Sequence, residues 1–153
     1  MFRATTLFIV GIWAAAPFAD AALGESKAQL QARYGRPGES FRIAGEDALE
    51  YRYKTFFVIV SFVGGKSAME TFVHQDGKTP LVAQEIEAFL NISFGSKRWH
   101  KAADIPLWTL GGRDRNSWTA IAAYYPKSPQ MMSPALGVMT TTYAKTHGYW
   151  PKI

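Results

Sequence analysis

The chain has 153 residues, a hydrophobic content of 48% and a net charge of +5, which supports one packed domain after removal of a leader. It contains no cysteine, and this excludes disulfides, thiol nucleophiles and cysteine metal sites. The basic residues are spread along the chain rather than clustered, which argues against nucleic-acid binding.

Residues 1–21 have the pattern of a signal peptide. A basic start precedes an apolar stretch at residues 4–16, and Ala19 and Ala21 are small residues at the positions that a signal peptidase recognises. The apolar stretch is too short to span a bilayer comfortably. We expect cleavage after Ala21, export to a periplasm or the extracellular space, and a single mature domain over residues 22–153. The alternative is a leader retained as an anchor.

The first predicted element of the mature chain is a short helix at residues 24–34. Ser26 and Gln29 have the spacing of a capping box, in which each side chain binds the backbone amide of the other residue. Gly35 accepts the left-handed conformation that often ends a helix. A short edge strand is predicted next, at residues 41–43.

The centre of the chain is the aromatic and β-branched stretch 49–63, whose composition is typical of strands. Residues 49–54 alternate apolar and charged, which predicts a strand with one buried face. Residues 56–63 are apolar on both faces, so this strand is expected to be covered on both. Together with the run at 68–74 they predict a three-stranded meander. A tail, a loop or a second copy covers the second face, or else that face receives a partner.

A second helix is predicted from Thr79 and Pro80, where a proline costs no hydrogen bond, to Phe94. Leu30 and Leu90 are each followed, four and five positions on, by an aromatic residue and a glycine. Predicted strands follow the second helix at 107–110, 117–125 and 136–143.

These elements predict an α+β domain of two tandem helix-plus-antiparallel-meander units, with the helices packed on one face of the sheet. The units are expected at residues 22–78 and 79–145. A chance likeness of the two helix ends is the alternative.

A family resemblance rests on residues 29–37, with the sequence QLQARYGRP, and the tyrosine-rich strand after them. This segment resembles the helix-to-strand signature of small exported bacterial proteins, including the small lipoprotein of the outer-membrane barrel-assembly machinery. The two-fold pattern is similar to the β-lactamase-inhibitor-protein fold, in which two helix-plus-sheet units present a concave sheet to a partner. This chain lacks the lipidated cysteine of the first and the paired cysteines of the second. The resemblance therefore implies an architecture and protein binding, and implies neither lipid anchoring nor inhibition of that enzyme.

No sequence pattern predicts catalysis, a metal or another cofactor. His74, His100 and His147 are too far apart in sequence for a helical metal pair, and there is no H-E-x-x-H motif. No serine lies in a G-x-S-x-G motif, and the glycine turns lack phosphate-loop spacing. We expect a protein that is not an enzyme, with a small-ligand carrier as the alternative and a small hydrolase as a less favoured one.

The candidate binding residues surround the turn of the predicted hairpin in the second half. They are Trp108, Arg113, Arg115 and Trp118. Tryptophan and arginine most often anchor protein interfaces, because one supplies a large contact area and the other bidentate hydrogen bonds. The alternative is a pair of core tryptophans beside a solvated turn. The predicted function is an exported protein-binding module whose partner is another protein.

Overall fold

The computed structural model describes residues 23–94, 98–102, 105–111, 115–127 and 133–151, so the predicted leader and Arg113 lie outside the described residues. The helices are α1 (Lys27–Tyr34), α2 (Ala83–Phe94) and α3 (Thr141–Thr146), and a 3₁₀ turn covers Arg115–Ser117. The strands are β1 (Ser40–Ile43), β2 (Glu46–Tyr53), β3 (Phe56–Val63), β4 (Lys66–His74), β5 (Trp99–Lys101), β6 (Leu107–Gly111), β7 (Trp118–Tyr125) and β8 (Ala135–Thr140).

The capping box at the start of α1 is confirmed. The Ser26 hydroxyl accepts a hydrogen bond from the backbone amide of Gln29, and the Gln29 side chain accepts one of 2.9 Å from the Ser26 amide. At the other end, Gly35 has a φ of +90° and its N–H donates to the Gln31 carbonyl. Local sequence therefore sets both ends of this helix.

All eight strands form one antiparallel sheet in the order β1-β2-β3-β4-β8-β7-β6-β5. The α+β class and the predicted meander of β2, β3 and β4 are therefore confirmed. The strands before β4 are joined by hairpins, and so are those from β5 to β7. The pairing of β4 with β8, here called the seam, joins Met69 to Met139 across the chain.

The sheet has two buried faces, because neighbouring residues of a strand point in opposite directions. On β8, Val138 belongs to a core cluster with α1 and α2, whereas Met139 belongs to a cluster with α3. We call the side of Val138 the first face and that of Met139 the second face. The buried helical residues of the first face are Leu30, Tyr34, Ile86, Phe89 and Leu90.

The first helix begins at Lys27 rather than at residue 24. Side-chain hydrogen bonds explain two other boundaries that were predicted wrongly. The second helix begins at Ala83 rather than at Thr79, because Asp76 accepts hydrogen bonds from the amide and the hydroxyl of Thr79 and holds it in a turn. The last strand ends at Thr140, whose hydroxyl accepts a 3.2 Å hydrogen bond from the Tyr143 amide and starts α3.

The tail covers part of the second face of β3, which was one of the alternatives for that face. Tyr143 of α3 lies beside the buried Ser61 of β3, and His147 lies 3.5 Å from Glu46 at the start of β2. Ile59 is also buried, whereas Val63 at the strand end is 44% exposed. Within the described residues, no helix is long and apolar enough to cross a membrane.

Candidate functional site

The four predicted binding residues do not all lie on one surface. Trp108 on β6 is partly buried against the first-face cluster, and the Lys101 ammonium lies 5.7 Å from its ring centre. Trp118 at the start of β7 is partly buried in the second-face cluster. The sheet therefore separates the two tryptophans. Arg113 lies outside the described residues.

Arg115 and Trp118 are brought together by Trp150 in the C-terminal segment. The Trp118 and Trp150 ring centres are 5.6 Å apart, and the Arg115 guanidinium carbon lies 5.0 Å from the Trp150 ring centre. The Lys145 ammonium of α3 lies 4.6 Å from the same ring centre. We call Arg115, Trp118, Lys145 and Trp150 the Trp150 cluster.

The end of α3 positions Trp150. The chain turns at Gly148, which has a φ of +75°, and the Tyr149 amide then donates a 2.8 Å hydrogen bond to the Ala144 carbonyl. The Tyr149 ring stacks on Tyr143 at 6.2 Å. Arg115 in turn donates a hydrogen bond to the carbonyl of Pro151. The 3₁₀ turn and the C-terminal segment are thereby joined to one another.

The Trp150 cluster has the chemistry of a binding surface. Its two tryptophans and Arg115 are partly exposed, and Lys145 is exposed. A cation over an indole face is attracted by the negative charge of the π system. The cluster contains no carboxylate, histidine or hydroxyl that would serve as a base or a nucleophile.

A second polar group is fully buried beneath the helices. Glu70 of β4 is on the first face at the seam, opposite Val138 of β8. Ser93 of α2 donates a 2.9 Å hydrogen bond to its carboxyl group, and Tyr34 of α1 donates one of 3.4 Å. Burial raises the pKa of Glu70 to about 7, although the hydrogen bond from Ser93 and the charge of Arg33 favour the ionised form.

Other titratable groups surround Glu70. Arg33 and Glu25 form a two-pronged ion pair, with nitrogen–oxygen distances of 2.5 and 3.2 Å. Burial raises the pKa of Tyr34 well above its usual value, and the Glu70 charge raises it further. The Tyr51 hydroxyl is buried and has no hydrogen-bond partner among the described residues. Because Glu70 is closed off from solvent, its position indicates a structural rather than a substrate-contacting role.

Two of the three histidines each lie near a single carboxylate, and the third is exposed. His74 Nε2 lies 3.2 Å from Glu85 Oε2, and His147 Nε2 lies 3.5 Å from Glu46 Oε1. His100 is exposed on the edge strand β5. In the described ranges, no three histidine, aspartate or glutamate side chains converge as a metal site would require.

A surface pocket of about 360 Å³ lies between the start of α1, the edge strand β1 and its neighbour β2. Its lining residues are Lys27, Ser40, Phe41, Arg42, Asp47, Ala48 and Leu49. The volume lies in the range of small-ligand sites. The Arg42 and Asp47 side chains at its mouth are 73% and 68% exposed.

Glu70, Lys145 and Trp150 were not among the residues predicted from the sequence. The sequence does single out Glu70, because it is the one carboxylate in the otherwise largely apolar stretch 68–73 and lies two positions from the core residue Phe72, on the same face of the strand. No sequence pattern singles out Lys145 and Trp150, because their approach to Arg115 depends on the path of α3 across the sheet.

No protein-family model matches the chain, and no curated protein matches it. Two crystal structures are similar at low level. One is a cysteine-rich secretory protein from Staphylococcus aureus subsp. aureus Mu50, with a TM-score of 0.43 and 12% identity, covering 80% of this chain and 46% of that one. The other is an extracellular protein containing an SCP domain from Bacillus anthracis str. Ames, with a TM-score of 0.45 and 10% identity, covering 95% and 51%. The chain spans about half the length of each, and neither assigns it a function.

Proposed function

We propose that this chain is an exported, non-enzymatic protein-binding module and that the Trp150 cluster is part of its binding surface. The observation that supports this most is the contact of Arg115 and Lys145 with one partly exposed indole ring. Tryptophan and arginine contribute a large share of the binding free energy at protein interfaces. Side chains that already contact one another in the free protein lose less conformational entropy on binding. The leader pattern of residues 1–21 supports export to a periplasm or the extracellular space.

The surface includes two of the four residues that the sequence suggested. Arg115 and Trp118 belong to the Trp150 cluster, and a contribution of Arg113 to the same binding surface is proposed from the sequence alone. Trp108 packs on the first face, where Lys101 lies over its ring. A role for Trp108 in binding would require a second contact region on that face.

We also propose that the domain is a tandem of two related units at residues 22–78 and 79–145. In each, a helix precedes four strands, and the strand order across the sheet reverses at the seam. Both α1 and α2 place apolar side chains in the first-face cluster. These features support two helices on a shared face and a duplicated origin.

Capture from an envelope extract tests the function. Wild-type protein is expected to retain a partner, and Arg115→Ala is expected to weaken its affinity about thirtyfold, since an arginine at an interface centre contributes roughly 2 kcal/mol. Arg42→Ala is the matched control, because Arg42 is exposed on β1 at the opposite edge region of the sheet. Full affinity of folded Arg115→Ala for the captured protein, measured by calorimetry, would contradict the proposed surface.

The surface pocket beside α1 favours one alternative, a carrier of small ligands. Lys27, Arg42 and Asp47 provide charged groups around an apolar wall formed partly by Leu49. A metabolite panel is expected to raise the melting temperature of wild-type protein in this case, and Leu49→Glu should abolish the shift. Absence of any shift across the panel would dismiss the carrier.

A further inference from the structure

The two halves of this chain contain similar numbers of basic residues but very different numbers of acidic residues. Residues 23–94 contain eight Lys or Arg and nine Asp or Glu, whereas residues 97–153 contain eight Lys or Arg and only Asp104 and Asp114 as acids. From Arg115 onward the sequence has no acidic side chain. The net positive charge therefore resides in the second half of the domain.

The Trp150 cluster lies within this positively charged half. Lys145 is exposed, and among the described residues it forms no ion pair with a carboxylate. Its ammonium and the Arg115 guanidinium both lie within 5.0 Å of the Trp150 ring centre. Two cations therefore border one indole ring, and both add to the attraction of this surface for a negative group.

We propose that the Trp150 cluster recognises an acidic segment of a partner protein. This rests on the protein-binding function proposed above and names the chemistry of the partner. Carboxylates of an acidic segment suit a guanidinium and an ammonium that border the same ring, and the exposed parts of the indole rings supply apolar contact for the intervening residues.

An anionic membrane surface fits the geometry less well. Trp118 and Trp150 pack against each other and against the cations, so their rings are not free to insert among lipids. Among the residues that the structure describes, the large apolar side chains that are exposed, Val63, Val82 and Ile105, are on separate segments of the chain. Membrane-surface binding usually buries a continuous apolar face.

Fluorescence anisotropy with a labelled peptide of alternating glutamate and glycine tests the proposal. Wild-type protein should bind this peptide, with an affinity that falls as salt is added, and should not bind the matching glutamine–glycine peptide. Lys145→Glu should weaken binding by about tenfold or more. Lys78→Glu makes the same change of charge at an exposed position in residues 23–94, outside the positively charged half. It should alter affinity by about twofold at most.

Three outcomes would overturn the proposal. The first is a lack of affinity of wild-type protein for the glutamate peptide. The second is an equal loss of affinity in the two lysine variants, which would indicate that net charge alone drives binding. Binding to phosphatidylglycerol vesicles without binding to the peptide would indicate a membrane surface instead. If Lys145→Glu is misfolded by circular dichroism, Lys145→Gln takes its place and should weaken binding by a smaller factor.

The same variants distinguish failure of acidic-segment recognition from failure of the protein-binding function. With the protein captured from envelope extract, loss of affinity in Arg115→Ala but not in Lys145→Glu would leave protein binding standing and remove recognition of acidic segments. Failure of wild-type protein to capture any partner would contradict the protein-binding function itself.

Discussion

Ser93 on α2 donates a 2.9 Å hydrogen bond to Glu70 on β4, and both residues are fully buried. The Tyr34 hydroxyl at the end of α1 reaches the other oxygen of the same carboxyl group. One side chain thereby ties both longer helices to the strand at the seam. Because the carboxyl group is removed from water, its protonation is linked to the stability of the domain.

Glu70→Gln is expected to change the pH dependence of unfolding. In the folded protein Glu70 keeps its proton up to about pH 7, whereas in the unfolded chain it ionises near pH 4.5. Its contribution is therefore full below pH 4.5 and declines as the pH rises to 7, by roughly 3 kcal/mol in total. The stability of Glu70→Gln relative to wild type should increase across that window in urea titrations.

Glu87→Gln is the control for this pH dependence, because Glu87 is exposed on α2. Its unfolding free energy should follow that of wild type at every pH. Parallel pH profiles for wild type and Glu70→Gln would show that the buried carboxyl group does not titrate in this range.

Gly111→Ala is expected to destabilise the hairpin of β6 and β7. Gly111 has a φ of +125°, and a Cβ atom there would collide with the Ser117 carbonyl oxygen and lie 3.0 Å from the Trp118 Cα. Backbone atoms cannot move aside cheaply, so we expect a loss of more than about 2 kcal/mol in urea unfolding. Gly64→Ala, at a φ of +58° with open space around it, should cost about 1 kcal/mol. Equal losses would refute the steric explanation.

Tyr143→Ala is expected to detach α3 from the second face. The Tyr143 side chain is 2% exposed and its ring stacks on His147 at 4.1 Å. Loss of a buried aromatic ring costs roughly 3–5 kcal/mol, and the C-terminal segment should become sensitive to protease. Tyr143→Phe keeps the ring and should remain within about 1 kcal/mol of wild type. A protected C-terminal segment in Tyr143→Ala would mean that other contacts hold α3.

Arg115→Ala is expected to lower stability modestly as well as to weaken binding. The substitution removes the hydrogen bond to the Pro151 carbonyl and the contact with Trp150, together worth about 1–2 kcal/mol. Greater exposure of Trp150 should shift tryptophan emission to longer wavelength. Since this loss leaves the core intact, the variant should stay folded at room temperature. Unchanged emission and stability would place the guanidinium in solvent.

Most of the correct predictions from the sequence rest on patterns among residues that are close together in the chain. The spacing of Ser26 and Gln29 predicts the cap of α1, and the alternation of residues 49–54 predicts a half-buried strand. Both predictions succeed because they depend on neighbours in sequence. The 3-residue strand β5 escaped notice, since it is too short to show a period. Thr141, Thr142 and Tyr143 favour strands intrinsically, so the sequence predicts a longer β8 where the structure has the start of α3.

The candidate site was predicted less completely than the fold. Arg115 and Trp118 were chosen for their residue types, and their contacts with Trp150 span 35 and 32 positions of sequence. Trp108 belongs to the same local hairpin, and regular alternation along β7 would place Trp118 on the face of Trp108. The register shift between Leu110 and Gly111 instead turns the two tryptophans to opposite faces. Side-chain direction near Gly111 is hard to infer, since the register shifts there.

The seam imposes an order on folding. Most strand pairs in the sheet are hairpins that close short loops, but Met69 and Met139 are separated by 70 positions. Such a distant pairing loses more chain entropy and forms late. As the chain is made, β4 is completed long before β8 exists, so its hydrogen-bonding edge stays open in the meantime. We expect the time before β8 arrives to be when this chain is most prone to associate with other copies of itself.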